Sequence, residues 1–363
     1  MVLTVIVFVH EMGHYLVARW NKVAIHTFSI GFGRELFGRT DKHGTRWRLS
    51  AIPLGGYVRF VGDMNAASTS PDAELIANAS PELRQSLFIN KSVWRRIAVV
   101  AAGPLANVIF AFLVLYALLL GYGRYTIPPV IGEVVAGSVA AEAGVEGGDT
   151  ILSVDGYRVR GFEDFQRLVA TAPERAVTMV IERDGAEQTI VVVPVAEQIE
   201  DRFGNTHRVG RVGVSRSSTE AEVRFYRPAP LEAVGMTFEE IRFIMDRTAA
   251  FLGDFFVGRG DIEQLGGPVK MAKVSGEIAT LGLLALINLT ALLSLNIGIF
   301  NLIPIPMLDG GHLIYYLAEA IRGRPLSQRV QEIGFRFGFA LVIALMAFTL
   351  VNDTVFQIIR DMT

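Results

Sequence analysis

The chain has 363 residues, of which 51% are hydrophobic and 19% charged, so it is too apolar for an ordinary soluble protein and long enough for several domains. Its net charge of -2 and the lack of a basic patch with interleaved aromatic residues exclude nucleic acid as an expected partner. Cysteine is absent, which excludes disulfides and leaves only histidine and carboxylate groups to hold a metal. The composition therefore predicts a membrane protein.

Four apolar stretches are close to the ~20 residues that a helix needs to cross a bilayer. They run approximately from Val2 to Val23, from Ile97 to Gly121, from Leu281 to Ile303 and from Gly334 to Val351. The first lacks the charged head and the small-residue cleavage site of a signal peptide, so we do not expect it to be removed. Because little of it precedes a polar motif in its interior, we expect the natural start to lie upstream of Met1.

That polar motif consists of His10, Glu11, Met12, Gly13 and His14. Two histidines four positions apart share one face of a helix, so both imidazoles can bind one zinc ion while Glu11 lies beside them as a general base. A histidine on a helix more often makes an ordinary hydrogen bond. At membrane depth, however, each ionisable side chain costs about 2.5 to 3.5 kcal/mol and needs a partner. The partner that we predict is zinc.

The segment after the first stretch is rich in basic residues and in glycine. By the positive-inside rule its Lys and Arg residues place it in the cytoplasm, with the central region and both termini across the membrane. Between Phe28 and Phe60, glycines such as Gly31 and Gly33 alternate with β-forming residues and predict one or two hairpins. The mixture of Ala, Ser, Pro and Asn from Asn65 to Arg84 predicts a mobile loop.

From about Ile127 to Ala196 the pattern changes to short β-runs with one helix from Phe162 to Ala170, which predicts a small soluble domain. The β-runs are Val130 to Val135, Thr150 to Val154, Ala176 to Arg183 and Gln188 to Val195. A further strand is predicted from Arg211 to Val214. From Leu231 to Phe256, apolar residues at helical spacing predict an amphipathic helix that lies on the bilayer surface or packs on the soluble domain.

A catalytic zinc takes three protein ligands, so a third must come from outside the first motif. The third apolar stretch ends in a series that runs from Asn301 through two prolines to Asp309, Gly310 and His312. Prolines break a helix, and broken helix at membrane depth is tolerated only beside protein or a water-lined cavity. Taken alone, Asp309 fits a turn or a helix cap better. Its pairing with the two histidines through one metal makes it the predicted third ligand, with His312 as a weaker alternative or a supporting residue.

Three motifs in this order resemble the site-2 protease family of intramembrane zinc metalloproteases. They are the motif that starts at His10, the sequence from Ala102 to Asn107, and the series from Asn301 to Gly310. The order of β-runs around Gly147 to Gly156 is similar to a PDZ domain of bacterial envelope proteases. A single such domain between the second and third stretches resembles the regulator of sigma-E protease branch, although better-known members carry two.

This resemblance implies a polytopic α-helical membrane protein with about four transmembrane helices, a cytoplasmic membrane-associated β-hairpin region and an inserted α+β PDZ domain. The implied domains are an N-terminal membrane core at 1–126, the PDZ domain at 127–200, a strand and amphipathic helices at 201–275, and a C-terminal membrane core at 276–363. The implied location is the bacterial inner membrane, with the PDZ domain in the periplasm.

The resemblance and the predicted geometry assign roles to the residues of the metal site. His10, His14 and Asp309 are expected to hold zinc. Glu11 is expected to take a proton from water and to pass it to the leaving amine. By the resemblance, Asn301 holds the substrate backbone or stabilises the negative charge that develops on the scissile carbonyl.

Further roles concern substrate binding. The resemblance implies that hairpin residues such as Gly31 and Phe32 hold a substrate segment as an added strand. It also implies that a peptide C-terminus binds near Ile131 and Gly132 of the PDZ domain. The spacing of Asn107 beside small residues favours an interhelical contact over a role in the active site.

The function implied by the resemblance is regulated intramembrane proteolysis. The expected substrate is a single-span membrane protein, such as an anti-sigma factor or a remnant signal peptide, that another protease has already shortened. One alternative is a catalytically silent scaffold whose PDZ domain captures peptides, but a structural zinc would not need Glu11. The other is a divalent-metal transporter, against which the proline-broken helix and the PDZ domain argue.

Overall fold

A computed structural model of the protein describes residues 2–63, 73–200, 206–216, 223–256 and 267–362. Its backbone contacts divide the chain into two compact units. Unit 1 comprises Met1–Leu115 and Leu265–Thr363, and unit 2 comprises Tyr116–Gln264. Each unit therefore has its own packing, and the two are described separately.

The elements are numbered in chain order. The chain begins with α1 (Val2–Trp20), β1 (Ile25–Thr40), β2 (Arg46–Phe60), α2 (Ala73–Asn78), α3 (Pro81–Ser86), a 3-10 turn (Phe88–Asn90) and α4 (Val93–Tyr122). It continues with β3 (Arg124–Thr126), β4 (Ile131–Val134), α5 (Val139–Glu142), β5 (Thr150–Val154), β6 (Tyr157–Arg158), α6 (Phe162–Ala170), β7 (Val177–Arg183), β8 (Ala186–Val192), β9 (Val195–Glu200), β10 (Thr206–Arg211), β11 (Val214–Arg216), β12 (Arg224–Tyr226) and α7 (Pro230–Phe256). It ends with α8 (Pro268–Thr280), α9 (Leu283–Asn301), α10 (Asp309–Arg322) and α11 (Gln328–Met362).

Four helices of the described chain are long and apolar enough to cross a membrane. They are α1, α4, α9 and the part of α11 from Arg329 to Val351. These helices match the four stretches predicted from the sequence, which confirms the prediction of a membrane protein. The first helix ends at Trp20 rather than Val23 because Lys22 adopts a left-handed backbone conformation, with φ at +55°, that an α-helix cannot contain.

β1 and β2 form a long antiparallel hairpin next to α1, as the glycine pattern predicts. Asp41 closes its turn by accepting two hydrogen bonds from backbone N–H groups that follow it, at 2.8 and 3.0 Å. The strands bend, so that Ile30 lies opposite both Leu49 and Gly56. Gly31 permits the bend because its φ of +88° is unfavourable for other residues.

An aromatic cluster fixes this hairpin to α1. Tyr15 of α1 and Trp47 of β2 both donate hydrogen bonds to the carboxylate of Asp41, at 3.3 and 3.0 Å. The buried Phe28 ring contacts both, and its centre lies 5.7 Å from that of Tyr15 and 4.4 Å from that of Trp47. Because Tyr15 directly follows the second histidine of the polar motif, the cluster places the hairpin beside that motif.

A buried ion pair fixes α10 to the start of α4. Arg96 donates two hydrogen bonds to the carboxylate of Glu319, at 2.5 and 3.1 Å, and its guanidinium lies 4.8 Å from the ring centre of Tyr316. At the other end of α10, side chains at Gly310 and Gly311 would collide with the backbone of the proline segment. The first turn of α10 is therefore held in a close-packed position.

The prediction of a loop from Asn65 to Arg84 is wrong in its second part, where the chain forms α2 and α3. Residues 64–72 lie outside the described residues. The hydroxyl of Ser80 caps α3 by accepting a hydrogen bond from the N–H of Leu83 at 3.3 Å, and Pro81 follows in the first turn. Serine followed by proline is a typical helix start. The sequence therefore carried a helix signal that its overall composition obscured.

Unit 2 is built on a four-stranded antiparallel sheet in the order β6-β5-β7-β8, with α6 against it. Ile151, Met179 and Ile181 of the sheet pack with Phe165 of α6 in a buried core. β11 pairs with β4, so a strand after residue 200 joins the start of this unit. The boundary predicted at residue 200 therefore falls inside one compact unit.

Helix α7 belongs to unit 2 and contributes to its buried core. Phe243 belongs to the buried core, and the guanidinium of Arg167 lies 4.4 Å from the centre of its ring. Arg160 forms an ion pair of 2.5 Å with Glu239 of α7. This packing agrees with one of the two predicted placements of the amphipathic helix. Leu231, in the first turn of α7, is 85% exposed, and contact of this helix with a bilayer stays a prediction.

A buried carboxylate should make the stability of unit 2 depend on pH. Asp149 is 1% exposed and accepts hydrogen bonds from Arg183, at 2.7 Å to each oxygen, and from the N–H of Glu146 at 2.9 Å. Burial alone would raise the pKa of Asp149, but these bonds outweigh burial and hold its pKa below the ordinary value. A lowered pKa stabilises the fold above the unfolded value of about 4 and is lost as the pH falls through the folded value.

We therefore expect wild type to be more stable than Asp149→Asn at neutral pH, and the difference to narrow below about pH 4. This difference in stability is measured by amide hydrogen exchange in β5 and β7 of the full chain, with each rate corrected for the intrinsic exchange rate at that pH. A difference that stays constant down to pH 3 would contradict this role of Asp149.

Candidate metal centre

The structure brings three of the predicted ligands together. The Nε2 atoms of His10 and His14, one helical turn apart on α1, are 3.2 Å from each other. Asp309, the first residue of α10, has one carboxylate oxygen 3.0 Å from Nε2 of His10 and the other 3.5 Å from Nε2 of His14. The potential ligand atoms of all three lie within 4.8 Å of one another. Two imidazole nitrogens and one carboxylate form a donor set that fits a catalytic zinc and leaves a fourth position open.

Two glycines allow α1 and α4 to approach at this point. A side chain at Gly13 would collide with the carbonyl oxygen of Ala102 and with Cβ of Ala106. A Cβ atom at Gly103 would lie 2.9 Å from Cε1 of the His10 ring and still closer to the other imidazole. The small residues of the second motif are therefore explained by close packing of α4 against the two histidines.

Groups on α4 contact the Nδ1 atoms of both imidazoles, which are the nitrogens that face away from Asp309. Nδ1 of His14 lies 2.9 Å from the backbone oxygen of Val99, which can only accept, so Nδ1 carries the hydrogen and Nε2 is free for a metal. Nδ1 of His10 lies 3.3 Å from the side-chain amide of Asn107. Ser294 of α9 donates a hydrogen bond to the backbone oxygen of Asn107 at 3.2 Å.

Asn107 therefore makes the predicted interhelical contact and also touches a candidate metal ligand. The sequence reading missed this second contact. A usable signal existed, because Asn107 lies four positions after Gly103 and so shares the face of α4 that packs on the histidines.

A cavity of about 490 Å³ opens beside these residues. Glu11, which is 8% exposed, lines it together with the three candidate ligands. Asn301, at the end of α9, and His312, in the first turn of α10, also line the cavity. Among the described residues, His312 is outside the group of three whose ligand atoms come together.

The hairpin forms another wall of the same cavity. Phe32 lines it, with its ring stacked 6.1 Å from that of Tyr57, whereas Gly31 is buried beside it. Gly56 was not predicted as a site residue, yet it lines the cavity and packs on Glu11: a Cβ atom there would lie 3.0 Å from Cγ of that glutamate.

The predicted peptide-binding residues Ile131 and Gly132 lie in β4 of unit 2. The side chain of Ile131 belongs to the buried core, and its N–H and C=O are hydrogen-bonded to Asp149 and Gly148 at 2.9 and 2.7 Å. β11 pairs with β4 as well. The peptide-binding role of Ile131 and Gly132 stays a prediction. The pairing of β4 with β11 does not favour it, because β4 already has a neighbouring strand.

Comparison with known proteins identifies the family of this chain. The profile of peptidase family M50 matches residues 1–345 of the chain. A protein from Mesorhizobium japonicum named "Putative zinc metalloprotease" is 47% identical over 352 residues, which cover 97% of this chain and 96% of the relative. A protein of the same description from Agrobacterium fabrum is 47% identical over 97% of this chain and 93% of its own length. Metalloprotease MmpA of Caulobacter vibrioides is 38% identical, with 97% and 93% covered. The chain therefore belongs to peptidase family M50, the site-2 protease family of zinc-dependent membrane peptidases.

Proposed function

We propose that this membrane metalloprotease hydrolyses a peptide bond in or near the transmembrane segment of a single-span membrane protein. One observation carries the proposal. The group of His10, His14 and Asp309 shares a cavity with Glu11, and the histidines and Glu11 belong to a helix that is apolar enough to cross a membrane. A hydrolytic site on such a helix has access to substrates that a soluble protease cannot reach.

The donor set fits zinc, and His10, His14 and Asp309 would hold it. When bound, zinc supplies a Lewis acid that lowers the pKa of a water molecule towards ~7 and polarises a carbonyl. Glu11 accepts a proton from water and donates it to the leaving amine. The amide of Asn301 can donate a hydrogen bond to the scissile carbonyl oxygen as negative charge develops there.

A transmembrane substrate helix hides its amides in internal hydrogen bonds, so a segment must be unwound before it can be cleaved. We assign this task to the hairpin, whose Phe32 lines the cavity and whose buried Gly31 directly precedes it. An unwound segment has free N–H and C=O groups that an adjacent strand can pair with. The position of Gly56 against Glu11 supports the assignment, because backbone there can approach the catalytic group closely.

Unit 2 is proposed to be a PDZ-like domain of the regulator of sigma-E protease branch. Its four-stranded antiparallel sheet and α6 support this reading. In that role it binds, or filters by size, the outer remainder of a substrate such as an anti-sigma factor or a signal peptide remnant. The proposed location is the bacterial inner membrane with unit 2 on the periplasmic side, as the basic loops after α1 and α10 suggest.

Co-expression with a tagged single-span reporter tests the proposal. Glu11→Gln should retain zinc and lose at least about 100-fold of the cleavage rate, because general acid–base catalysis contributes 10² to 10⁴. Asp309→Asn should lose both zinc and cleavage, since it removes a charged ligand. Equal cleavage of the reporter by wild type and both variants would refute the assignment of these residues.

A further inference from the structure

Asn107 is a polar side chain in an unusual position. It is fully buried in α4, a helix apolar enough to cross a membrane. Its amide nitrogen lies 3.3 Å from Nδ1 of His10, and its amide oxygen is buried without a hydrogen-bond partner among the described residues. An unpaired buried carbonyl oxygen costs about 1 to 3 kcal/mol, so this arrangement calls for an explanation.

The chemistry of metal binding by His10 indicates which group the side-chain oxygen of Asn107 pairs with. A neutral imidazole has a hydrogen on one nitrogen and a lone pair on the other. His10 directs Nε2 towards Asp309 and the other imidazole, so zinc binding there places the hydrogen on Nδ1. Nδ1–H needs an acceptor, and an amide NH₂ group cannot accept.

A half-turn of the Asn107 amide exchanges its oxygen and nitrogen without moving other atoms. The oxygen then faces Nδ1–H of His10 and leaves a position that offers it no donor. The Val99 carbonyl does the same for His14. With this half-turn, each imidazole has an oxygen acceptor on α4.

We propose that the Asn107 side-chain oxygen accepts a hydrogen bond from Nδ1–H of His10 and thereby fixes the tautomer and ring orientation that present Nε2 to zinc. Asn107 is thus a positioning residue for the metal site, and the inference rests on the proposed function. Ser294 of α9 donates its hydrogen bond to the backbone oxygen of Asn107, so it contacts the backbone of this residue rather than its side-chain amide.

Zinc affinity of the purified full-length protein tests this, measured by competition with a chelator of known affinity. Asn107→Leu has a similar volume and no acceptor, and should bind zinc about 10- to 100-fold more weakly, as loss of an outer partner of a ligand does. Asn107→Asp keeps an acceptor and has no amide donor, so its affinity should stay within about tenfold of wild type. The absorption spectrum of the cobalt-loaded protein should change in the leucine variant and remain similar in the aspartate variant.

Ser294→Ala is the matched control, because it removes the hydrogen bond to the backbone oxygen of Asn107 and leaves the side-chain acceptor in place. Its zinc affinity should equal that of wild type. Equal affinities of Asn107→Leu and wild type, or equal losses in the leucine and aspartate variants, would overturn the inference. If the leucine variant does not fold, the aspartate variant still decides, because an amide that acts as donor could not be replaced by a carboxylate. Failure of wild type itself to bind zinc would instead refute the proposed function.

Discussion

Gly103→Ala is expected to abolish both zinc retention and cleavage. The added Cβ atom would occupy space filled by the His14 ring and would lie 2.9 Å from Cε1 of His10. Real Cβ atoms do not approach other atoms so closely, and the two rings are the flexible partners that would move. Loss of a residue that hydrogen-bonds a metal ligand lowers metal affinity about 10- to 100-fold. Displacing two candidate ligands themselves should have a larger effect, so zinc affinity should fall by more than about 100-fold. Zinc content after chelator treatment and cleavage of a single-span reporter measure the two effects.

Gly121→Ala provides a matched control on the same helix. Among the described residues, apart from the nearby backbone of α4 itself, no atom lies within 4 Å of a Cβ atom at Gly121, so the same substitution adds a methyl group in open space. Alanine also has a higher helix propensity than glycine by about 1 kcal/mol, so this variant should be at least as stable as wild type. A Gly103→Ala protein that keeps zinc and cleaves at the wild-type rate would show that the α1–α4 contact does not constrain the histidines.

The second large effect concerns the buried ion pair that holds α10. Arg96→Ala leaves the Glu319 carboxylate largely buried without its partner, and removal of one member of such a pair costs about 3 to 5 kcal/mol. We expect a loss of this size in the free energy of unfolding, measured in detergent by chemical denaturation. Because α10 begins with Asp309, zinc affinity should fall as well.

Two further variants test whether the unpaired buried charge of Glu319 causes the expected loss of stability in Arg96→Ala. The double variant Arg96→Met, Glu319→Leu removes both charges and should recover most of the lost stability, since apolar replacement of a buried pair is often neutral. Arg46→Ala breaks an exposed ion pair with Glu35 in the same unit and should change the free energy of unfolding far less than Arg96→Ala does, because solvent screens exposed charges. A loss for Arg96→Ala as small as that for Arg46→Ala would show that the buried pair does not hold α10.

Much of this architecture could be predicted because it depends on local patterns. Membrane helices are recognisable from uninterrupted apolar length, and the histidine pair from its spacing of four. Asp309 was more difficult, since alone it fits a helix cap. It became a predicted ligand only because two polar clusters in apolar surroundings each lacked a partner, and the structure places its carboxylate 3.0 Å from His10.

The rest depends on contacts between distant parts of the chain. The spacing of four between Gly103 and Asn107 indicates that they share one face of α4, but it does not reveal that the helix packed on this face carries the histidines. Ile30 pairs with both Leu49 and Gly56, which requires a bend in the hairpin. Gly31 permits this bend, but a glycine in the sequence does not by itself predict one. The wall that Gly56 contributes to the cavity therefore could not be derived from spacing.

The candidate ligand group joins His10 and His14 of α1 to Asp309 of α10. A growing polypeptide that has left the ribosome only as far as α9 carries both imidazoles but no Asp309, and so cannot complete the group. All three side chains are present only after α10 has been made. Under the proposed assignment of ligands, a chain truncated before α10 has no Asp309 and is expected to bind no zinc at this site and to cleave no substrate.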